Sequence, residues 1–95
     1  MREIMNNILL DMKRLCESNH AKLIVIIHPS SSDHISYLDT LSKNICSNND
    51  VLSMDLNDKS PRDEYFLAHD GHYSAKGNQW VANCVVEYLK IHHLI

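Results

Sequence analysis

Apolar side chains recur at Met1, Ile4, Met5, Ile8, Leu9, Met12, Leu15 and Cys16, in steps of three and four. That spacing gathers them on one stripe, with Arg2, Asn6, Lys13 and Glu17 elsewhere, and predicts an amphipathic helix over residues 1–18. Ser18-Asn19-His20 breaks it. The pattern then changes to an unbroken run, Leu23-Ile24-Val25-Ile26-Ile27, too short for an independent helix and rich in β-branched residues. Continuous rather than alternating hydrophobicity predicts a strand buried on both faces, as in the middle of a parallel sheet. His28-Pro29 ends it, because proline has no N–H to donate to the ladder.

Helical spacing returns after a polar turn, Ser30-Ser31-Ser32-Asp33, which offers several helix caps. Ile35, Leu38, Leu41 and Ile45 predict a helix from His34 to Cys46, stopped by Asn44, Ser47, Asn48, Asn49 and Asp50. Residues 51–56, Val51-Leu52-Ser53-Met54-Asp55-Leu56, read as a second, shorter strand. Strand, helix and strand in that order form a right-handed crossover with parallel strands. Residues 57–68 read as irregular, with a turn at Ser60-Pro61-Arg62-Asp63.

A last helix is predicted from about Ala75 to about Ile91, with Val81, Val85, Tyr88 and Leu89 on its core face and Trp80 and Cys84 flanking. Trp80 and Tyr88 are read as core or rim packing. Ser74 is a natural N-cap. Gly77 in the first turn costs roughly 1 kcal/mol against alanine, which points to close packing against a neighbour. His92-His93 at the far end suits the negative pole of the helix dipole.

The element order is therefore α-β-α-β-α, an α/β chain with parallel strands and no internal repeats. A strand as apolar as residues 23–27 wants a hydrogen-bonded neighbour on each side, and only one other strand is in view. Two parallel strands alone make a poor sheet. Either another chain pairs with the open edge, by self-association, or these residues are the C-terminal part of a larger α/β domain. The second is favoured.

Composition narrows the class. Ninety-five residues make one small domain, and a hydrophobic content of 44% is ordinary for a globular chain. The formal net charge is -3, and the nine Lys and Arg are scattered without a basic stripe, so no nucleic-acid partner is expected. Three dispersed cysteines, Cys16, Cys46 and Cys84, fit buried free thiols better than a disulfide framework or zinc site. His28, His34, His69 and His72 with Asp70 match no standard metal spacing, so no metal and no cofactor is expected. Only three consecutive apolar residues, Ile8-Leu9-Leu10, precede Asp11, so neither a signal peptide nor a membrane span is expected, and the default compartment is the cytoplasm.

The chemistry concentrates in His69-Asp70-Gly71-His72-Tyr73-Ser74-Ala75-Lys76-Gly77. In an extended segment residues i and i+2 project to the same side, roughly 6.6 Å apart. Asp70 can then accept from Nδ1–H of His72, fixing the tautomer and leaving Nε2 as a base. A bare Asp-Xaa-His is short and common, and an ordinary solvated pair beside a helix cap shares its pattern.

The longer string, Tyr65-Phe66 and then Asp70 through Gly77, resembles the last motif block of SGNH (GDSL-type) hydrolases, in the branch related to alginate O-acetyltransferases. Proteins of that branch carry an Asp-Gly-His-aromatic-Asn-x-x-Gly string opening their final helix. The resemblance covers roughly residues 20–90. It implies a three-layer α/β/α flavodoxin-like fold, of which residues 1–95 form a single partial domain corresponding to the C-terminal half. It also implies His72 as general base and Asp70 as its orienting partner in an esterase or O-acyltransferase, acting on an acyl ester or an acetylated carbohydrate. Ser74 departs from the family's asparagine, and both residues cap helices.

The larger departure is an absence. The family's nucleophilic serine lies in a Gly-Asp-Ser-like block, and its oxyanion donors are a glycine and an asparagine in following blocks. None of these is found in this sequence. Ser30, Ser31 and Ser32 lack a glycine elbow and read as a turn and helix cap. Without nucleophile and oxyanion hole the chain is expected to be inactive alone. The alternative reading is a non-catalytic α/β module acting as a structural or interaction domain through its open strand edge.

Overall fold

The computed structural model describes residues 2–29, 37–68 and 71–95, with side chains in the second helix described from Asp39 onward. The Ser30–Asp33 turn and the helix start at His34 lie outside the described residues, as does Asp70. Helix α1 spans Arg2–Ser18, strand β1 Ile24–Ile27, helix α2 Tyr37–Asn48, strand β2 Leu52–Asp55 and helix α3 Ala75–Ile91. The segment between β2 and α3, predicted irregular, holds two 3₁₀ turns, Leu56–Lys59 and Asp63–Tyr65. The described residues form two compact units.

The first unit holds α1, β1, α2 and β2. The strands pair in parallel, with Ile24 opposite Leu52, Val25 opposite Ser53, Ile26 opposite Met54 and Ile27 opposite Asp55. The mixed α/β class and the parallel pairing are therefore as predicted. Helix α2 packs on both strands and α1 on α2. Ile27, Leu41, Ile45, Cys46, Val51 and Met54 are buried, with Ile45 only 1% exposed and Cys46 fully enclosed. Burying aliphatic side chains of this size is worth about 1.5–3 kcal/mol each, so this cluster is the main source of the unit's cohesion. At the end of β2, the carboxylate of Asp55 lies 3.6 Å from Lys43 Nζ with its side chain 7% exposed.

Two expectations about this unit change. Along β1 only Ile27 is buried, while Ile24, Val25 and Ile26 are half-buried. A single hydrogen-bonded neighbour, β2, is what the described residues offer it. On α1, no residue is buried, and Ile4, Ile8, Met12 and Leu15 are exposed. The face of α1 that meets α2 is instead the half-buried one bearing Met5, Leu9, Lys13 and Cys16, displaced around the helix from the open stripe. A polar network supports that packing: Lys13 Nζ donates to the Asn49 carbonyl at 2.8 Å, and Asn49 Nδ2 to Asn6 Oδ1 at 2.7 Å.

The second unit holds the two 3₁₀ turns, α3, and His28 with Pro29. Helix α3 packs on both turns. Leu56, Gly77 and Cys84 are buried in the folded chain. Cys84, predicted to flank the core face of α3, is its most buried apolar side chain, whereas Trp80, Val81, Val85, Tyr88 and Leu89 are half-buried.

All three described helices end alike. Ala21 N–H donates to the Cys16 carbonyl and His20 N–H to Glu17. Val51 pairs likewise with Cys46 and Asp50 with Ser47, and Leu94 with Leu89 and His93 with Lys90. These are Schellman stops, which place one residue in the left-handed region. Here those residues are His20, Asp50 and His93, with φ of 57°, 59° and 58°.

Candidate functional site

The site is built on the short segment between the second 3₁₀ turn and α3. Phe66 and Tyr73 form an isolated antiparallel bridge, and Leu67 N–H donates to the His72 carbonyl at 2.7 Å. Gly71, just before the His72 arm of this bridge, has φ of 75°, a conformation that glycine adopts without steric cost. His72 is exposed and sits on the returning arm of this bridge.

Beyond it the backbone is fixed again by the helix cap. Ser74 N–H donates to the Tyr65 carbonyl at 2.9 Å, and Ser74 Oγ donates to the Glu64 carbonyl at 2.6 Å. The same oxygen accepts from Gly77 N–H at 3.1 Å, so the predicted N-cap is present and also tied to the preceding turn. Gly77 meets the expectation of close packing, because a Cβ there would run into the Tyr65 carbonyl.

Aromatic rings fill the interior of the segment. Tyr73 stacks on Phe66 with centroids 5.5 Å apart and meets Trp80 edge-on at 6.3 Å. Tyr65 stacks on Trp80 at 4.9 Å, and the indole N–H donates to the Lys59 carbonyl at 3.2 Å. Such pairs add about 0.5–1.5 kcal/mol beyond the area they bury. Burial pushes the Tyr73 phenol above its ordinary range, and nearby Cys84 acts in the same sense. Burial likewise raises the Cys84 thiol, with Lys59 opposing and Glu87 reinforcing to a smaller extent.

Of the two predicted catalytic residues, His72 is thus presented to solvent from a backbone held at its own carbonyl and at the helix cap that follows, and Asp70 lies outside the described residues. One feature of the site had no sequence signal beyond proximity to His72. The Tyr73 hydroxyl lies 2.7 Å from His28 Nδ1, with the rings 5.6 Å apart and inclined at 60°. His28 had read as the residue that ends a strand and as a weighed but disfavoured metal ligand, and a partner 45 positions away leaves no local trace. Among the described residues, no group of three or more His, Cys, Asp or Glu is placed to hold a metal ion, and no helix is long and apolar enough to cross a membrane.

No protein-family model, no curated protein and no solved structure matches this chain.

Proposed function

We propose that this chain is the C-terminal part of an SGNH-type serine esterase or O-acyltransferase, one piece of a three-layer α/β/α flavodoxin-like domain. In this reading His72 Nε2 takes the proton of a serine hydroxyl as that oxygen attacks the acyl carbonyl, and returns it to the departing alkoxide. Asp70 accepts from Nδ1–H and holds the ring. The serine and the oxyanion donors come from outside these residues, and the substrate is an acyl ester or an acetylated carbohydrate. The observation that carries the reading is His72, exposed on a clamped segment directly before a capped helix. Parallel β1 and β2 joined through α2 suit the same fold.

The test uses the protein extended to include a Gly-Asp-Ser-like block, with p-nitrophenyl acetate as substrate. His72→Ala is expected to lower kcat by about 10²–10⁴-fold, the usual share of a general base. An alanine variant as active as the parent rejects the reading.

A second reading is favoured by the open stripe Ile4, Ile8, Met12 and Leu15 and by the two-stranded sheet. It makes the chain a non-catalytic module that self-associates through a strand edge. Sedimentation at increasing concentration should then show association, with slow exchange of β1 amides only in the associated form. A monomer whose β1 amides are already well protected argues against it.

A further inference from the structure

Tyr73 follows the candidate base directly, and its side chain is half-buried while His72 stays exposed. That alternation is expected of neighbours in extended backbone. The ring is packed by Phe66 and Trp80, and its hydroxyl reaches His28 Nδ1 at 2.7 Å. Because burial disfavours the phenolate, the hydroxyl keeps its proton and needs an acceptor for it. Among the described residues that acceptor is His28 Nδ1. With the Tyr73 hydroxyl as donor, Nδ1 is the accepting nitrogen and the ring N–H lies on Nε2.

We propose that His28 and Tyr73 form a positioning pair for the His72 loop, in which the Tyr73 hydroxyl donates to His28 Nδ1 and so holds residues 72–73 in their bridge to residues 66–67. The proposal rests on the reading of His72 as a general base. Ring stacking alone leaves Tyr73 free to slide, since dispersion contacts are not directional. A hydrogen bond at the ring's far end fixes it. A two-residue bridge has little stability of its own, so the anchored side chain decides whether the backbone under His72 stays put. A base must stand within hydrogen-bond reach of the proton it takes, and small displacements of such groups are expensive in rate.

The test needs no substrate and uses the full chain, followed by long-range ¹H–¹⁵N spectra of the imidazoles and by amide exchange. In the parent, the His28 ring should show the Nε2–H tautomer with an unprotonated Nδ1. Tyr73→Phe keeps the ring and removes the donor. It should shift the His28 and His72 ring signals and speed exchange of the Leu67 amide up to about tenfold, as loss of one ordinary hydrogen bond predicts. His28→Ala should do the same to Leu67 and His72. His28→Asn, whose Oδ1 stands near the place of Nδ1, should restore Leu67 protection. An Nδ1–H tautomer in the parent overturns the proposal. So do unchanged Leu67 exchange and His72 signals in both Tyr73→Phe and His28→Ala, or a loss of protection spread evenly over α3. An ester assay indifferent to His72→Ala rejects the catalytic reading while leaving these spectra as they are, so the two failures are distinguishable.

Discussion

Gly77 packs its Cα against the backbone carbonyl of Tyr65, and a Cβ added there would overlap that oxygen and come 3.0 Å from Tyr73 Cδ1. Two effects of Gly77→Ala oppose each other. Helix propensity favours alanine by about 1 kcal/mol. Overlap with a backbone atom costs about 1–3 kcal/mol, because a carbonyl cannot swing aside as a side-chain tip can. The overlap should win, with a net loss of up to about 2 kcal/mol in urea denaturation. A stabilised alanine variant would mean that α3 can ride outward from Tyr65 at little cost.

Ser74 has two duties, accepting from Gly77 N–H and donating to the Glu64 carbonyl. Ser74→Ala loses both and should cost about 1–2 kcal/mol, the upper part of the range for an N-cap. Asparagine caps as well as serine and carries an N–H donor, so Ser74→Asn should stay within about 0.5 kcal/mol of the parent. Comparing urea midpoints of the two variants separates the cap from the mere presence of a polar side chain.

The helices and strands were legible because their signals are local and repeat. Steps of three and four placed α1 and α3 within about one residue of their observed ends, and the Leu23–Ile27 run contained β1. Periodicity does not say which part of an apolar stripe will find a partner. On α1 it grouped Ile4, Ile8 and Leu15 with Met5 and Leu9, although only the latter side is half-buried. The Ser74 cap and the need for Gly77 were readable from residue chemistry at a helix start. The Phe66–Tyr73 bridge and the Tyr73–His28 hydrogen bond were not. They join residues with no shared period, and only folding brings them together.

The helix stops were placed by their polar residues, but their left-handed geometry was hidden, because its usual signal is glycine and this chain has only two glycines. His20, Asp50 and His93 occupy that conformation instead. The left-handed region costs an ordinary L-residue about 1–2 kcal/mol, of which glycine's extra freedom in the unfolded chain gives back about 0.5–1. His20→Gly and His93→Gly, both at exposed positions, should each stabilise by about 0.5–1 kcal/mol. Asp50→Gly should gain less, since aspartate tolerates this conformation better. Thermal unfolding of the three single variants checks the ranking. A loss at His93 would show that its contribution to the dipole at the end of α3 outweighs the backbone strain.

The enclosed thiols set the response to alkali. Burial pushes the Cys46 thiol above its ordinary value, and burial does the same to Cys84. In the interval between the unfolded and the folded value, the folded state holds a proton that the unfolded state has released. The unfolded chain therefore binds fewer protons there, and stability falls as pH rises. Their contribution is fully present below the ordinary thiol value of about 8.5 and is lost as pH rises through the raised folded values. Tyr73, raised by burial, extends the decline beyond the ordinary phenol value of about 10. Urea midpoints should be level below the ordinary thiol value of about 8.5 in this respect and fall as pH rises above it. Cys46→Ala should lower the midpoint at pH 7 by removing packed volume, yet flatten the alkaline slope. An equally steep slope in that variant would assign the decline to Cys84 and Tyr73 instead.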